Sequence, residues 1–294
     1  MIEEKRNQKQ AGTMDLGLRI KSSDSSFKNE MNTYKVMLRS YKNWNKCFGV
    51  GCNKTASTSL DYIMKSMYGL RSAQSNIEAT STFQVIKGNY QPLIEFMQQN
   101  DFGQDLPFSQ GETYVAADAL FPKSKFILTI RDSISWVKSF TNQYLLRFCA
   151  ILRNSELKSM QNYLFRGYSH YWISHYWSEQ IQILKDSISN KEYLLEDDKS
   201  LINHIASNQE FIESCIYNYQ SRNKAILNYF SKRENDFLCI DLSKEKDISR
   251  LSDFLNFPNI LHAPIPKLNT SDKKDKVESN EHYLDYSKFN LYDH

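Results

Sequence analysis

Residues 48–60 combine the end of an apolar strand, a tight loop and the start of a helix. Their sequence is F-G-V-G-C-N-K-T-A-S-T-S-L, so a lysine and three hydroxyl side chains stand at the turn. Backbone N–H groups at a helix N-terminus carry a partial positive charge that favours a phosphate, and Lys54 adds a full charge there. The segment therefore predicts an anion-binding loop between a strand and a helix.

This loop differs from the usual ATP- or GTP-binding loop. The Walker pattern G-x-x-x-x-G-K-[ST] has a glycine immediately before its lysine. Asn53 occupies that place, and the first glycine of the pattern would fall at Phe48. The loop therefore indicates an anion other than the phosphates of ATP or GTP.

Strands and helices alternate on both sides of the loop. Short apolar runs predict strands at residues 46–50, 126–130 and 237–240. Helical periodicity predicts helices at residues 57–68, 89–100, 112–120, 133–148 and 209–232, with Gly69 as a C-cap. Such alternation predicts a three-layer α/β/α fold with a central, mostly parallel sheet. Ligands of such sheets bind at the carboxyl ends of the strands.

Together with a second segment, the loop resembles the sulfotransferase family. The family's 5′-phosphosulfate loop is similar to G-x-x-K-[ST]-G-[ST]-[ST]-x-L, and its 3′-phosphate segment is an apolar strand, Arg-Asp or Arg-Asn, a helix and a serine eight positions after the arginine. The matching residues are Gly51, Lys54, Thr55, Ser57, Thr58 and Leu60 in the loop, and Arg131 and Ser139 in the segment K-F-I-L-T-I-R-D-S-I-S-W-V-K-S. The resemblance covers about residues 45–270.

The resemblance implies a P-loop NTPase-like sulfotransferase fold and an enzyme that uses 3′-phosphoadenosine 5′-phosphosulfate (PAPS) as sulfuryl donor. It implies that Lys54, Thr55, Ser57 and Thr58 bind the 5′-phosphate, with Gly51, Asn53 and Ala56 completing the loop. It implies that Arg131 and Ser139 bind the 3′-phosphate, and that Lys54 also neutralises charge on the leaving oxygen. No metal is expected, and the product is 3′-phosphoadenosine 5′-phosphate (PAP).

Two positions depart from the family pattern. Ala56 stands where the family has glycine, and alanine rarely adopts the positive φ that glycine permits. We therefore expect the loop to follow a slightly different course or to bind more loosely. Ser59 stands where cytosolic members often have the tryptophan that stacks on adenine, so base stacking comes from another aromatic residue or is absent.

The general base has two candidates, both of them carboxylates. Asp105 begins an Asp-Leu-Pro segment that resembles the K-T-H-L-P-like segment of cytosolic members, with aspartate in place of histidine. Glu78 satisfies the spacing of carbohydrate-modifying members, which use a glutamate some two dozen positions after the loop lysine. The sequence leaves open which of the two accepts the proton, because it gives no distances.

Charge and cysteine content limit which binding partners and which cellular compartment are expected. The formal net charge of +3 gives no reason to expect nucleic acid as a partner. Five cysteines without C-x-x-C spacing argue against a disulfide framework and a structural zinc site, and favour a reducing compartment. No apolar run approaches the ~18 residues of a membrane span, so we expect a cytoplasmic protein without one.

Three parts make up the chain in this interpretation. Residues 1–40 form a flexible N-terminal arm, residues 41–270 the sulfotransferase domain and residues 271–294 a polar C-terminal tail. Aromatic residues recur at three-residue spacing in the tail, from Tyr283 to Tyr292. This stripe can dock on the body of the protein, which we favour, or on a second subunit in a homodimer.

The acceptor and two alternative functions stay open at this stage. The acceptor is a hydroxyl or amine of a small molecule or a carbohydrate. The first alternative is a P-loop nucleotide kinase or hydrolase, in which Asp241, after the strand at 237–240, would hold Mg²⁺. The second is a non-catalytic nucleotide-binding scaffold of the same fold, suggested by Ala56 and by the undecided base.

Overall fold

The computed structural model describes residues 33, 35–72, 81, 84, 85, 87–141, 209–258, 263–266 and 268. These residues build a four-stranded sheet in the order β2-β1-β3-β4, and every pairing in it is parallel. The strands are β1 (Cys47–Gly49), β2 (Phe102–Gly103), β3 (Lys125–Thr129) and β4 (Phe237–Ile240). The predicted α/β fold with a parallel central sheet is thereby confirmed.

The two segments with sequence motifs follow neighbouring interior strands. β1 pairs with β3 in parallel, with Phe48 opposite Phe126 and Gly49 opposite Ile127. β1 also pairs with β2, and β3 also pairs with β4, so both strands are hydrogen bonded on two edges. Because parallel strands end at the same edge of a sheet, the loop after β1 and the segment after β3 lie side by side.

Besides a helical segment at residues 35–40, the described part of the chain has six α-helices around these strands. They are α1 (Ser57–Tyr62), α2 (Gln91–Gln99), α3 (Thr113–Leu120), α4 (residues 133–141), α5 (Gln209–Tyr229) and α6 (Ser249–Phe254). The predicted helices recover α1 to α5 with ends that differ by a few residues, and the part of the fourth prediction beyond residue 141 lies outside the described residues. β2 and α6 were not predicted.

The helix after the loop changes its winding halfway along. The sequence predicts one α-helix over residues 57–68, but α1 ends at Tyr62 and a π-helical turn, Ile63–Met67, continues it. The Tyr68 N–H donates to the Ile63 carbonyl at 2.9 Å, a bond that spans five residues. Gly69 follows with φ 68°, which confirms the predicted C-cap.

The sheet separates two apolar clusters, as expected of a sheet with helices on both faces. Alternate residues of β3 enter opposite clusters, with Ile127 on one face and Phe126 and Leu128 on the other. α1 and α6 cover the first face, whereas α2, α3 and α5 cover the second. Residues from both the early and the late part of the described region thus pack against the strand that precedes the second motif.

Part of the predicted N-terminal arm packs on this body. Residues 35–40 are helical, and Leu38 is buried in the first cluster. The Arg39 Nε donates to the Gly69 carbonyl at 3.0 Å. The rest of the arm and the C-terminal aromatic stripe lie outside the described residues. Among the residues that are described, no helix has the length and apolar character needed to cross a membrane.

Candidate active site

The loop between β1 and α1 makes two left-handed turns. Lys54 has φ 71° and Ala56 has φ 69°, ψ 29°. The sequence led us to expect that alanine would alter the course of the loop, but Ala56 instead adopts the left-handed conformation that a glycine would supply. Ala56 is also the N-cap of α1 and has no side-chain acceptor, so it cannot cap the first amides of the helix.

Ala56→Gly is expected to raise the free energy of unfolding by about 1 kcal/mol. A left-handed non-glycine residue costs roughly 1–2 kcal/mol, and the greater freedom of glycine in the unfolded chain offsets about half of that. Urea-induced unfolding of Ala56→Gly measures the change. Ala116→Gly, within α3, is the matched control and is expected to cost about 1 kcal/mol. Equal destabilisation by both substitutions would contradict the predicted strain.

Thr55 anchors the loop to the end of β3. Its side chain is buried, and its hydroxyl lies 2.7 Å from the Thr129 hydroxyl and donates to the Cys52 carbonyl at 2.5 Å. Gly51 lies against the same threonine, so closely that a Cβ on Gly51 would overlap the Thr129 backbone. Thr55, one of the predicted phosphate ligands, therefore has its hydroxyl engaged inside the protein.

Asn53 joins the loop to the segment after β2. Its amide Nδ2 donates to the Asp105 carboxylate, and the Ser109 hydroxyl donates to its Oδ1 at 3.2 Å. The Ser57 hydroxyl also faces the Asp105 carboxylate, at 3.4 Å. The structure thus brings the candidate base Asp105 to the predicted phosphosulfate loop. Glu78, the other candidate, lies outside the described residues.

Arg131 follows β3, and its side chain is exposed. Its backbone is held by Tyr219 of α5, whose hydroxyl accepts from the Arg131 N–H at 2.9 Å and donates to the Arg131 carbonyl at 2.9 Å. Burial raises the pKa of the Tyr219 hydroxyl, so the phenol keeps the proton that it donates. Ser139 lies on α4, eight residues beyond Arg131, and is half-buried.

Trp136 of α4 connects the second motif to the first. Its indole Nε1 donates to the Asn53 carbonyl at 2.8 Å, and its ring is stacked on that of Tyr219. The segment after β3 is thus hydrogen bonded directly to the loop after β1.

Arg222 is a site residue that the sequence interpretation missed. Its guanidinium is buried, donating from Nη1 to the Val50 carbonyl at 2.7 Å and from Nη2 to the Phe108 carbonyl at 3.2 Å. It also lies 3.8 Å from the Cys52 sulfur, and burial raises the pKa of that thiol although Arg222 opposes the shift. The sequence feature that could have identified it is the position of a charged residue on the apolar face of α5, between Tyr219 and Ile226.

Acidic residues suited to a metal ion do not converge in the described part of the chain. No group of three or more histidine, cysteine or carboxylate side chains is placed to bind one there. Asp241, the Mg²⁺ candidate of the kinase alternative, accepts from the Ser243 N–H at 3.0 Å and hydroxyl at 2.6 Å. It also lies 3.6 Å from the Lys244 ammonium, which accounts for its position at the turn after β4.

The chain was compared with curated proteins and with protein-family models. A search of curated proteins found no match. A family model described as "Sulfotransferase domain" matches residues 46–274, which is most of the chain and includes both motifs and every strand of the sheet. The protein thus belongs to the sulfotransferase family, enzymes whose sulfuryl donor is PAPS.

Proposed function

We propose that this enzyme moves a sulfuryl group from PAPS to a hydroxyl or amine acceptor by in-line displacement. The observation that carries the proposal is the adjacency of the two motifs. Their strands, β1 and β3, are hydrogen-bonded neighbours, and Trp136 bonds the segment after β3 to the loop after β1. A donor with phosphates at both its 5′ and 3′ positions needs two anion sites at one edge of a sheet.

In this proposal the loop holds the 5′-phosphosulfate. Lys54 supplies a cation, Ser57 and Thr58 supply hydroxyls, and the amides at the start of α1 point toward the anion. Gly51 and Thr55 shape and anchor the loop, while Asn53 and Ala56 contribute backbone. Because sulfuryl transfer resembles phosphoryl transfer, such positioning and charge stabilisation supply most of the rate.

Arg131 and Ser139 hold the 3′-phosphate in this proposal. A guanidinium offers a planar fork that matches phosphate oxygens, and the exposed side chain of Arg131 is accessible to a ligand. The serine hydroxyl adds a donor from α4. This second site distinguishes PAPS from ATP and ADP, which carry no 3′-phosphate.

Asp105 is the general base that the proposal favours. Its carboxylate lies beside the loop through Asn53 and Ser57, where an acceptor must approach the sulfuryl group. A base must come within about 3 Å of the acceptor proton in the productive complex. Asp105→Asn tests the role, since a base variant keeps PAP binding and loses transfer, whereas loss of PAP binding would assign Asp105 to loop support. Glu78 stays a second candidate.

Both alternatives have less support than the transferase. The kinase alternative needed Asp241 for Mg²⁺, and that carboxylate accepts hydrogen bonds from Ser243 and lies 3.6 Å from the Lys244 ammonium. The scaffold alternative rested partly on Ala56, which nevertheless adopts the left-handed turn. The acceptor, a small molecule or a carbohydrate, is to be identified by transfer assays with phenols, alcohols, amines and sugars.

Calorimetric titration with PAP and ADP, with and without Mg²⁺, tests the proposed donor site. The wild type is expected to prefer PAP whether or not Mg²⁺ is present. Arg131→Ala is expected to weaken PAP binding by about ten- to a hundredfold and to leave ADP binding unchanged, because a charge-assisted phosphate contact is lost.

The control for this titration is Lys232→Ala, which removes an exposed cation just beyond α5, near the opposite edge of the sheet. It is expected to leave both affinities unchanged. A wild type without preference for PAP, or one whose ADP binding depends on Mg²⁺, would refute the proposed donor site.

A further inference from the structure

Two buried aromatic residues that belong to neither set of proposed phosphate ligands lie between the two anion sites. Trp136 is 3% exposed and Tyr219 is 4% exposed. Their rings are stacked, with centroids 4.3 Å apart and an interplanar angle of 12°. We define this pair, Trp136 of α4 and Tyr219 of α5, as the aromatic bridge.

Each end of the aromatic bridge contacts the backbone of one motif. The Tyr219 hydroxyl forms two 2.9 Å bonds with a single residue, accepting from the Arg131 N–H and donating to the Arg131 carbonyl. The Trp136 Nε1 donates to the Asn53 carbonyl at 2.8 Å. Tyr219 therefore holds the residue of the 3′-phosphate site, and Trp136 holds the 5′ loop.

Arg131 lies where neither the sheet nor a helix of the described chain binds its backbone, so the contact with Tyr219 is important for its position. The preceding residue, Ile130, still bonds to the sheet through its N–H and the Ile240 carbonyl at 2.9 Å. α4 begins two residues after Arg131, and the Asp132 carboxylate caps it by accepting from the Ser135 N–H at 2.9 Å. Arg131 thus lies between the strand and the helix, and the Tyr219 hydroxyl satisfies both of its backbone groups.

We propose that Tyr219 is a positioning residue that gives the enzyme its specificity for 3′-phosphorylated donors, acting through the backbone of Arg131. The inference rests on the proposed function of the donor site. By fixing the arginine backbone, the phenol reduces the ordering that the guanidinium undergoes when it binds phosphate. The Trp136 end of the bridge acts on the 5′ loop and therefore affects every adenosine 5′-phosphate alike.

The chemistry of the two rings separates these roles. Tyr219→Phe keeps the stacked ring and removes one oxygen, so it leaves the Arg131 N–H and carbonyl without their partner. Trp136→Phe keeps an aromatic ring and removes the bond to Asn53. Neither substitution removes a group that touches the ligand in the proposed complex.

The experiment titrates the full-length protein with PAP and with adenosine 5′-phosphate, which differ only in the 3′-phosphate. Tyr219→Phe is expected to weaken PAP binding roughly tenfold and to change adenosine 5′-phosphate binding less than about twofold. Trp136→Phe is expected to weaken both ligands by the same factor. Tyr217→Phe, on the same helix but 69% exposed, is the control and is expected to change neither.

A double-mutant cycle with Arg131 tests whether Tyr219 acts through that residue. In an Arg131→Ala background, Tyr219→Phe is expected to have no further effect on PAP binding. Three results would overturn the inference. Tyr219→Phe could weaken the binding of both ligands equally, it could leave PAP binding unchanged, or it could weaken PAP binding by the same factor in the Arg131→Ala background as in the wild type. A wild type that binds PAP no better than adenosine 5′-phosphate would instead refute the proposed donor site.

Discussion

Gly51→Ala is expected to lower the free energy of unfolding by about 3 kcal/mol or more, the upper end of the usual cost of overpacking. A Cβ at this position would lie 2.5 Å from the backbone oxygen and 2.9 Å from the backbone nitrogen of Thr129, and still closer to its Oγ1. Backbone atoms cannot rotate away as a side chain can. The loop and β3 must therefore separate, which also breaks the bond between Thr55 and Thr129.

Urea-induced unfolding of the variant measures this loss. Gly88→Ala is the matched control, because a Cβ there meets nothing within 4 Å although Gly88 has φ +80°. It is expected to cost only about 1 kcal/mol from the left-handed backbone. If Gly51→Ala were no more destabilising than Gly88→Ala, the close packing of the loop on β3 would be contradicted.

Lys54→Met is expected to slow sulfuryl transfer by about a hundred- to a thousandfold, the usual cost of removing one preorganised group that stabilises developing charge. Methionine keeps most of the length of the side chain and removes the charge. The measurement is PAP release from PAPS in the presence of a mixed pool of phenols, alcohols, amines and sugars, together with PAP affinity by calorimetry. A larger loss in transfer rate than in PAP affinity would indicate that the Lys54 charge stabilises the leaving oxygen in the transition state.

Lys123→Met is the control, because it removes a lysine charge from a residue with a similar left-handed backbone. Lys123 is an exposed lysine with φ 64°, close to the 71° of Lys54, but it precedes β3 at the amino edge of the sheet. Its replacement is expected to leave transfer and PAP affinity unchanged. Equal rates for the wild type and Lys54→Met would remove the loop lysine from the mechanism.

The sequence predicted those parts of the fold that are encoded locally. β4 was predicted with its observed bounds, and β1 and β3 to within one residue at each end, because each is a short apolar run. β2 was missed because two residues are too few to show a periodic pattern. The π-helical turn was missed because a single turn barely changes the spacing of apolar residues.

The sequence could point to the candidate site only where its residues lie in consecutive motifs. Lys54 and Arg131 stand in such motifs, and the pairing of β1 with β3 brings their segments to one edge. The contact between Asn53 and Asp105 crosses 52 positions, and that between Tyr219 and Arg131 crosses 88. A single sequence gives no signal for contacts of this separation, and the usual backbone preference of alanine mispredicted the conformation of Ala56.

Because β1 and β3 are both interior strands, the sheet fixes the distance between the segments that follow them. Any change in the distance between the ends of β1 and β3 would break the hydrogen bonds that pair them, and each strand is also held on its other edge. The distance between the two proposed phosphate sites is therefore largely set before a ligand binds, and an analogue with a longer or shorter span between its phosphates is expected to bind less tightly. An inhibitor of the proposed donor site is therefore best designed as a rigid molecule whose two anionic groups are held at that distance.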